Sequence, residues 1–218
     1  RCLEIGAGRG TKTYVMMCQA KRAGYERQHT ALDLHDRKCD QNLARLHKAG
    51  ISGVRTVSGD ACELNEVLTS FDAMLGEPAL FDTVFIDAPC SGTGTMRRHP
   101  EIPWRLTEKD VTVELPKLQL TMLKEAAVRV AAGGELIYAT CSVFDEENTQ
   151  VVDAFLNSPE GASFSVAPLS EAQILQLPEF AQAKKLVSVR QNDRGLFQSV
   201  PVNADSYDGH FCARLIRN

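Results

Sequence analysis

The chain has 218 residues, of which 44% are hydrophobic and 24% charged, with a formal net charge of −4. That length suits one α/β domain able to bury about 70% of its unfolded surface without stabilising staples. No apolar run approaches the roughly 20 residues of a membrane span and no basic-then-apolar leader is present, so a soluble, cytoplasmic protein is expected. The acidic balance excludes a basic surface spread over the whole domain and leaves only a local one. The seven cysteines, Cys2, Cys18, Cys39, Cys62, Cys90, Cys141 and Cys212, are scattered and never form a C-x-x-C pair. Neither a disulfide framework nor a zinc site follows from them, and a reducing compartment is the simplest reading. The chain opens without methionine and enters its first strand at once, which reads as a fragment.

Short apolar runs alternate with amphipathic stretches, the βαβ pattern of a mostly parallel sheet. Residues 2–5 read as the first strand, followed by a glycine turn and a helix over 12–23. Residues 30–34 form the second strand. Asp36 can cap a helix running to Ala49, which Gly50 stops, and 53–57 form the third strand, ending at Gly59-Asp60. The fourth strand, 81–86, runs into Asp87-Ala88-Pro89-Cys90-Ser91-Gly92, too rich in Pro and Gly to continue in a sheet. Residues 107–131 carry a helical pattern with Leu115, Leu118, Met122 and Val130 on one face, and Pro116 marks a break or a restart. Gly133-Gly134 ends that helix. Residues 135–140 are the fifth strand, with Cys141-Ser142 at its end and a helix that Asp145 can cap beyond it. Residues 159–184 lack periodicity, apart from a short helix near Glu171, and read as an insertion. Residues 185–190 and 209–216 read as two last strands.

Ligands of open α/β sheets bind beyond the carboxyl ends of the strands, and the informative motifs all fall there. Glu4-Ile5-Gly6-Ala7-Gly8-Arg9-Gly10 places glycines at alternate positions between a strand and a helix, where the backbone must turn sharply and approach a ligand closely. The G-x-G-x-G spacing, with an acidic residue two before the first glycine, differs from the G-x-G-x-x-G of dinucleotide enzymes. It resembles motif I of the Rossmann-like methyltransferases. Asp33 ends the second strand, where a carboxylate can accept both ribose hydroxyls of an adenosine, and Asp60 follows the third, placed to meet an adenine edge. Each aspartate alone reads more readily as a helix cap; in this order after the glycine turn they favour an adenosyl cofactor.

The fourth and fifth strand ends each carry a cysteine, Cys90 and Cys141. Cys2, Cys18, Cys39, Cys62 and Cys212 read as small core hydrophobes. Two cysteines on one cleft suit a substrate such as cytosine, whose carbon 5 is too poor a nucleophile to attack a methyl sulfonium unaided. A thiolate adding to carbon 6 makes carbon 5 enamine-like. After methyl transfer a base removes the carbon 5 proton and the thiol leaves by elimination. Chemistry alone leaves the roles of the two cysteines exchangeable. Arg97, Arg98, Arg105 and Lys109, with His99 and Trp104 beside them, form a local basic cluster suited to phosphates and a stacked base, or a solvated loop.

DAPCSGTG followed by RRHP, then ATCS with Glu146-Glu147-Asn148 behind it, resembles the RNA cytosine-5 methyltransferases of the Nop/Sun type, most closely the bacterial enzymes of small-subunit ribosomal RNA. The likeness runs from Cys2 to about Val152 and resumes at Asp208-Gly209-His210-Phe211. It implies an α/β Rossmann-like fold with helices on both faces of a mostly parallel sheet and an antiparallel last strand. It also implies S-adenosylmethionine as cofactor, held by Glu4, Gly6, Ala7, Gly8, Gly10, Lys12, Asp33, Arg37, Asp60, Ala61 and Asp87. In the family pattern Cys141 is the nucleophile, Cys90 assists product release, Asp87 hydrogen-bonds the cytosine ring and Lys12 reaches toward Asp87 and the substrate. The expected partner is RNA, presenting an unpaired or flipped cytosine of 16S ribosomal RNA, with transfer RNA as the alternative. A monomer without metal or membrane partner is expected, a single catalytic domain that lacks the family's preceding RNA-binding domain. Gly8-Arg9-Gly10-Thr11-Lys12-Thr13 stands where the family usually has A-P-G-G-K-T, Glu4 where it has aspartate and His210 where it has phenylalanine. A non-catalytic RNA-binding assembly factor that merely retains the fold is the rival from another class.

Overall fold

The computed structural model describes residues 1–202 and 207–218. The chain divides into two compact units, the first made of Arg1–Asp87, Glu125–Leu136 and Arg217, the second of Ala88–Lys124, Ile137–Ile216 and Asn218. Among the described residues no helix is long and apolar enough to cross a membrane.

In the first unit β1 (Cys2–Ile5), β2 (His29–Asp33), β3 (Val54–Ser58), β4 (Phe81–Asp87) and the start of β5 (Val130–Thr140) lie in the order β3-β2-β1-β4-β5. β1 pairs in parallel with β2 and β4, and β2 with β3, so that Leu3 stands opposite Thr30 on one side and Val84 on the other. Every residue of β1 and β2 is buried, as parallel strands covered on both faces must be. The helices are α1 (Thr11–Arg22), α2 (Asp36–Lys48), and the short α3 (Leu64–Val67) and α4 (Thr69–Leu75). α2 ends in a left-handed turn at Gly50, φ +67°, where Gly50 N–H donates to His47 O and Ile51 N–H to Leu46 O, both at 3.0 Å. Glycine takes that turn without a steric penalty.

Beneath this sheet lies a chain of buried polar groups. Asn42 Nδ2 donates to Thr13 Oγ1 at 3.0 Å, Thr13 Oγ1 donates to Glu4 Oε2 at 2.7 Å, and His29 Nε2 meets the same oxygen at 2.8 Å. The Glu4 and His29 side chains reach no solvent. Burial alone opposes charge on His29, but hydrogen bonds to Cys2 and Glu4 and their negative charge outweigh it and lift its pKa to about 9. A raised folded-state pKa means that the pair's contribution is complete below the unfolded value of about 6.5 and is lost as pH rises through about 9. Urea unfolding of the wild type should therefore show a stability loss between pH 7 and 10 that is absent in Glu4→Gln. At pH 7 that variant should be less stable by about 3 kcal/mol, the usual cost of breaking a buried pair. Equal pH profiles for the two proteins would show the pair to be uncharged.

In the second unit the end of β5, β8 (His210–Arg217) and β6 (Phe164–Ala167) follow the order β5-β8-β6. β7 (Phe197–Ser199) runs antiparallel to β8, with Phe197 opposite Cys212 and Ser199 opposite His210. The helices that begin here are α5 (Ile102–Arg105), α6 (Leu115–Ala127), α7 (Thr149–Leu156) and α8 (Ala181–Arg190). Its core centres on Tyr138, whose ring meets Phe211 edge-on at 6.2 Å, and on Phe155 against Phe164 at 5.5 Å. The fold is the mostly parallel α/β sheet with an antiparallel pair near the end of the chain that the pattern and the resemblance imply.

The structure corrects three expectations. Residues 185–190 belong to helix α8, not to a strand. The alternation of Val187 and Val189 mimics a strand, but no residue of α8 is buried, so β-branched packing gains nothing there and the helix-forming run from Ala181 to Lys185 prevails. Residues 159–184 contain β6, four residues long, too short to show a period. β5 starts at Val130, and Gly133, φ +72°, lies within it; a left-handed glycine bends a strand without ending it. Pro116 lies just after a π-helical turn, Asp110–Glu114, that runs on into α6; such a widened turn lets a helix pass a residue with no N–H to donate.

Candidate active site

In the first unit the chain leaves β1 through a turn whose glycines all have positive φ, +80° at Gly6, +57° at Gly8 and +81° at Gly10. Gly6 and Ala7 N–H both donate to Leu32 O at 2.9 Å. A Cβ on Gly6 would stand 2.4 Å from Asp87 O, whereas one on Gly8 would meet nothing within 4 Å. Gly6 is thus glycine for packing, and Gly8 leaves its backbone open. Asp33 secures the turn, its Oδ2 accepting from Gly8 N–H at 2.9 Å and its Oδ1 from His35 N–H at 3.1 Å, with Lys38 Nζ at 3.4 Å. Arg37 lines an open hollow of about 410 Å³ together with Arg9, His35, Lys38 and Gln41. Lys12, in the first turn of α1, and Asp87, at the end of β4, form an ion pair of 2.5 Å, both partly exposed.

Two sequence-picked positions behave differently. Glu4 turns inward to Thr13 and His29 and is fully buried, a correction to its reading as a cofactor ligand; its carboxylate is spent on holding α1 and β2. Asp60 accepts from Cys62 N–H at 2.8 Å and so caps the short turn Ala61–Glu63, in which Ala61 is buried. Thr13, Asn42 and His29 had no signal in the sequence, because a buried polar network leaves no spacing pattern.

In the second unit Cys90 and Cys141 come together, Sγ to Sγ 3.2 Å, with Cys141 N–H donating to Cys90 Sγ at 3.3 Å. The two loops are stitched side by side: Ala88 N–H donates to Ala139 O at 2.9 Å and Gly94 N–H to Cys141 O at 2.8 Å. Gly209 N–H donates to Gly94 O at 2.8 Å. The hydroxyls of Ser91, Thr93 and Ser142 form a buried cluster, Ser91 Oγ lying 3.1 Å from each of the other two. The hydrogen bond to Cys141, together with burial, pushes the Cys90 thiol far above the ordinary thiol range. Burial first, then the neighbouring Glu147 carboxylate, likewise raises the Tyr138 hydroxyl.

The model of the family described as 16S rRNA methyltransferase RsmB/F matches residues 1–216. The chain belongs to this family. Among curated relatives, ribosomal RNA small subunit methyltransferase B of Salmonella arizonae is 33% identical over 163 residues, which cover 75% of this chain and 35% of that protein. The chain spans about a third of the length of the curated relatives it matches. Among solved structures, PH0851 is 27% identical with a TM-score of 0.75, over 98% of this chain and 42% of that one. NSun6 from Pyrococcus horikoshii with SFG, 19% identical, shares the fold with a TM-score of 0.73, over 99% of this chain and 47% of that one.

The basic cluster of this family member is paired. Arg98 meets Asp208 at 2.5 Å and Arg97 the same carboxylate at 3.6 Å, Arg105 meets Glu101 at 3.3 Å, and Lys109 meets Glu114 at 2.7 Å. His99 lies 3.4 Å from Glu101, and the Trp104 ring is 88% exposed. The pairs at Arg105 and Lys109 are exposed on both sides and therefore screened by solvent. Among the described residues no group of His, Cys, Asp and Glu could hold a metal ion.

The closeness of the two loops is open to test at Gly94, where a Cβ would stand 2.1 Å from Gly209 O and 2.8 Å from Cys141 O. Gly94→Ala should cost about 3 kcal/mol in urea unfolding, since backbone must shift to admit the methyl group. Gly8→Ala, in open space, should cost only the left-handed backbone penalty of about 1 kcal/mol. Equal losses at the two positions would count against the tight contact at Gly94.

Proposed function

We propose that the chain is the catalytic part of an enzyme that methylates carbon 5 of cytosine in RNA, with 16S ribosomal RNA as the substrate, through a covalent adduct between Cys141 and the base. The observation that carries this reading is the pair of thiols 3.2 Å apart, in a chain of the RsmB/F family. The curated relatives' names favour ribosomal over transfer RNA.

The cofactor in this reading is S-adenosylmethionine, which supplies an electrophilic methyl group. The residues of the first unit fit a nucleoside-bearing molecule: the backbone at Gly8 is open, and the Asp33 carboxylate keeps lone pairs beyond those given to Gly8 and His35. Gly6, Ala7, Gly8, Gly10, Asp33, Arg37, Asp60 and Ala61 would hold it, with Lys12 and Asp87 at the reacting end. Glu4 would act from beneath, through Thr13.

The protein's own steps follow from the residue chemistry. Cys141 as thiolate adds to carbon 6, and the displaced π electrons make carbon 5 the nucleophile, with Asp87 hydrogen-bonded to the ring edge and Lys12 fixing Asp87. Once the methyl group is on carbon 5, loss of the carbon 5 proton to a base drives out the Cys141 thiolate and restores the aromatic ring. Cys90, beside Cys141, serves this release. Arg97, Arg98, Arg105 and Lys109 would exchange their carboxylates for phosphates, and Trp104 offers a face for a base.

The test is methyl transfer from labelled S-adenosylmethionine by the full-length protein to a small-subunit RNA fragment. Cys141→Ala should lose methylation at least 1,000-fold, and Cys90→Ala should accumulate a protein–RNA adduct visible on a denaturing gel. The reverse pattern would exchange the cysteines, and full activity in both variants would end the covalent mechanism.

A further inference from the structure

Glu147 has no place in the chemistry above, yet it is a carboxylate with no exposure to solvent. Its Oε2 accepts from Ser91 N–H at 2.8 Å and from Gln119 Nε2 at 3.0 Å, and its Oε1 accepts from Ser142 Oγ at 2.7 Å. Ser91 directly follows Cys90 and Ser142 directly follows Cys141. Gln119 Nε2 also donates to Pro89 O at 2.9 Å, which takes hold of the residue before Cys90. The neighbouring Asn148 does the same for the other loop, accepting from Thr140 Oγ1 at 2.6 Å and donating to Ser142 O at 3.0 Å. Each cysteine is thus gripped on both sides. The mount is itself anchored, since Tyr138 Oη donates to Glu147 O at 2.6 Å.

We infer that Glu147 is a positioning residue that sets the distance and register of Cys90 and Cys141; this rests on the reading of those two as the reacting pair. The geometry explains why a carboxylate is needed. The groups facing its side chain, a backbone N–H, an amide N–H and a hydroxyl, are all donors in this arrangement, so every site they meet must be an acceptor. Glutamine would turn an NH₂ toward one of them and leave a buried donor facing a donor. A buried negative charge held by neutral donors alone is expensive, and a merely structural strut would be better made from apolar side chains. What the charge secures is a fixed relation between two loops far apart in sequence.

The experiment compares wild type, Glu147→Gln and the milder Ser142→Ala, which keeps the carboxylate and removes one donor. Diamide, an azo compound reduced to its hydrazine, takes two electrons and two protons from a pair of thiols to form a disulfide. The rate of Cys90–Cys141 closure, read by peptide mass spectrometry, reports their juxtaposition without any methyl transfer. Alkylation of Cys141 by iodoacetamide reports its accessibility, and S-adenosylmethionine affinity reports the integrity of the fold. Closure should slow at least 10-fold in Glu147→Gln and about 3-fold in Ser142→Ala, and the single-turnover methylation rate should fall in the same order. Cofactor affinity and Cys141 alkylation should stay within 2-fold of wild type. Wild-type closure rates in both variants would overturn the inference, as would a fall in cofactor affinity parallel to the fall in closure. Should Glu147→Gln fail to fold, Ser142→Ala decides alone by the same criteria. A wild type that closes its disulfide but methylates no RNA would overturn the proposed function and leave the positioning role standing.

Discussion

A carboxylate taken out of water must be surrounded by donors, and that requirement organises both units of this protein. Solvation lost on burial costs several kcal/mol and is recovered only when the hydrogen bonds around the group are complete and well aligned. Glu4 meets the requirement at one oxygen, Oε2 facing both Thr13 and His29 while Oε1 has no hydrogen-bond partner among the described residues, and these contacts tie the start of α1 to β1 and β2. Glu147 meets it with Ser91, Gln119 and Ser142, tying together the loops after β4 and β5. In each unit the residues that would touch ligand stand a position or two away from these anchors. Lys12 precedes Thr13, and the cysteines precede the two serines. The reacting side chains are placed by neighbours that are themselves fastened.

The parts legible in the sequence were those whose chemistry leaves a pattern along the chain. Glycine at alternate positions is visible because only glycine takes the positive φ of that turn, and β4 is visible because Val84, Phe85 and Ile86 form a short apolar run ahead of Pro89. The two Cys-Ser steps at strand ends were visible for the same reason of local chemistry. Other features depend on partners remote in sequence. Glu4 reads as a ligand until His29 and Thr13 are seen to consume it. The basic run Arg97-Arg98 reads as a bare surface until Asp208, more than a hundred residues on, is seen to pair with it. α8 shows the complementary failure, since Val187 and Val189 carry a strand's signature that only the absence of a buried face removes.

The two cysteines illustrate how the same principle shapes reactivity. The hydrogen bond to Cys141 and burial raise the Cys90 thiol above its ordinary range, which opposes its ionising beside a charged Cys141. A second negative charge is disfavoured in such surroundings, so the pair resists becoming two thiolates. One thiolate beside one thiol is the arrangement that a two-stage reaction needs: a nucleophile to form the adduct and, within reach, a partner whose proton and sulfur remain for the stage that dissolves it. Had both residues been exposed on independent loops, each would have titrated as an ordinary cysteine and neither would have been committed to a stage. In the proposed reaction the division of labour would follow from proximity, and proximity from the buried carboxylate inferred to hold both loops.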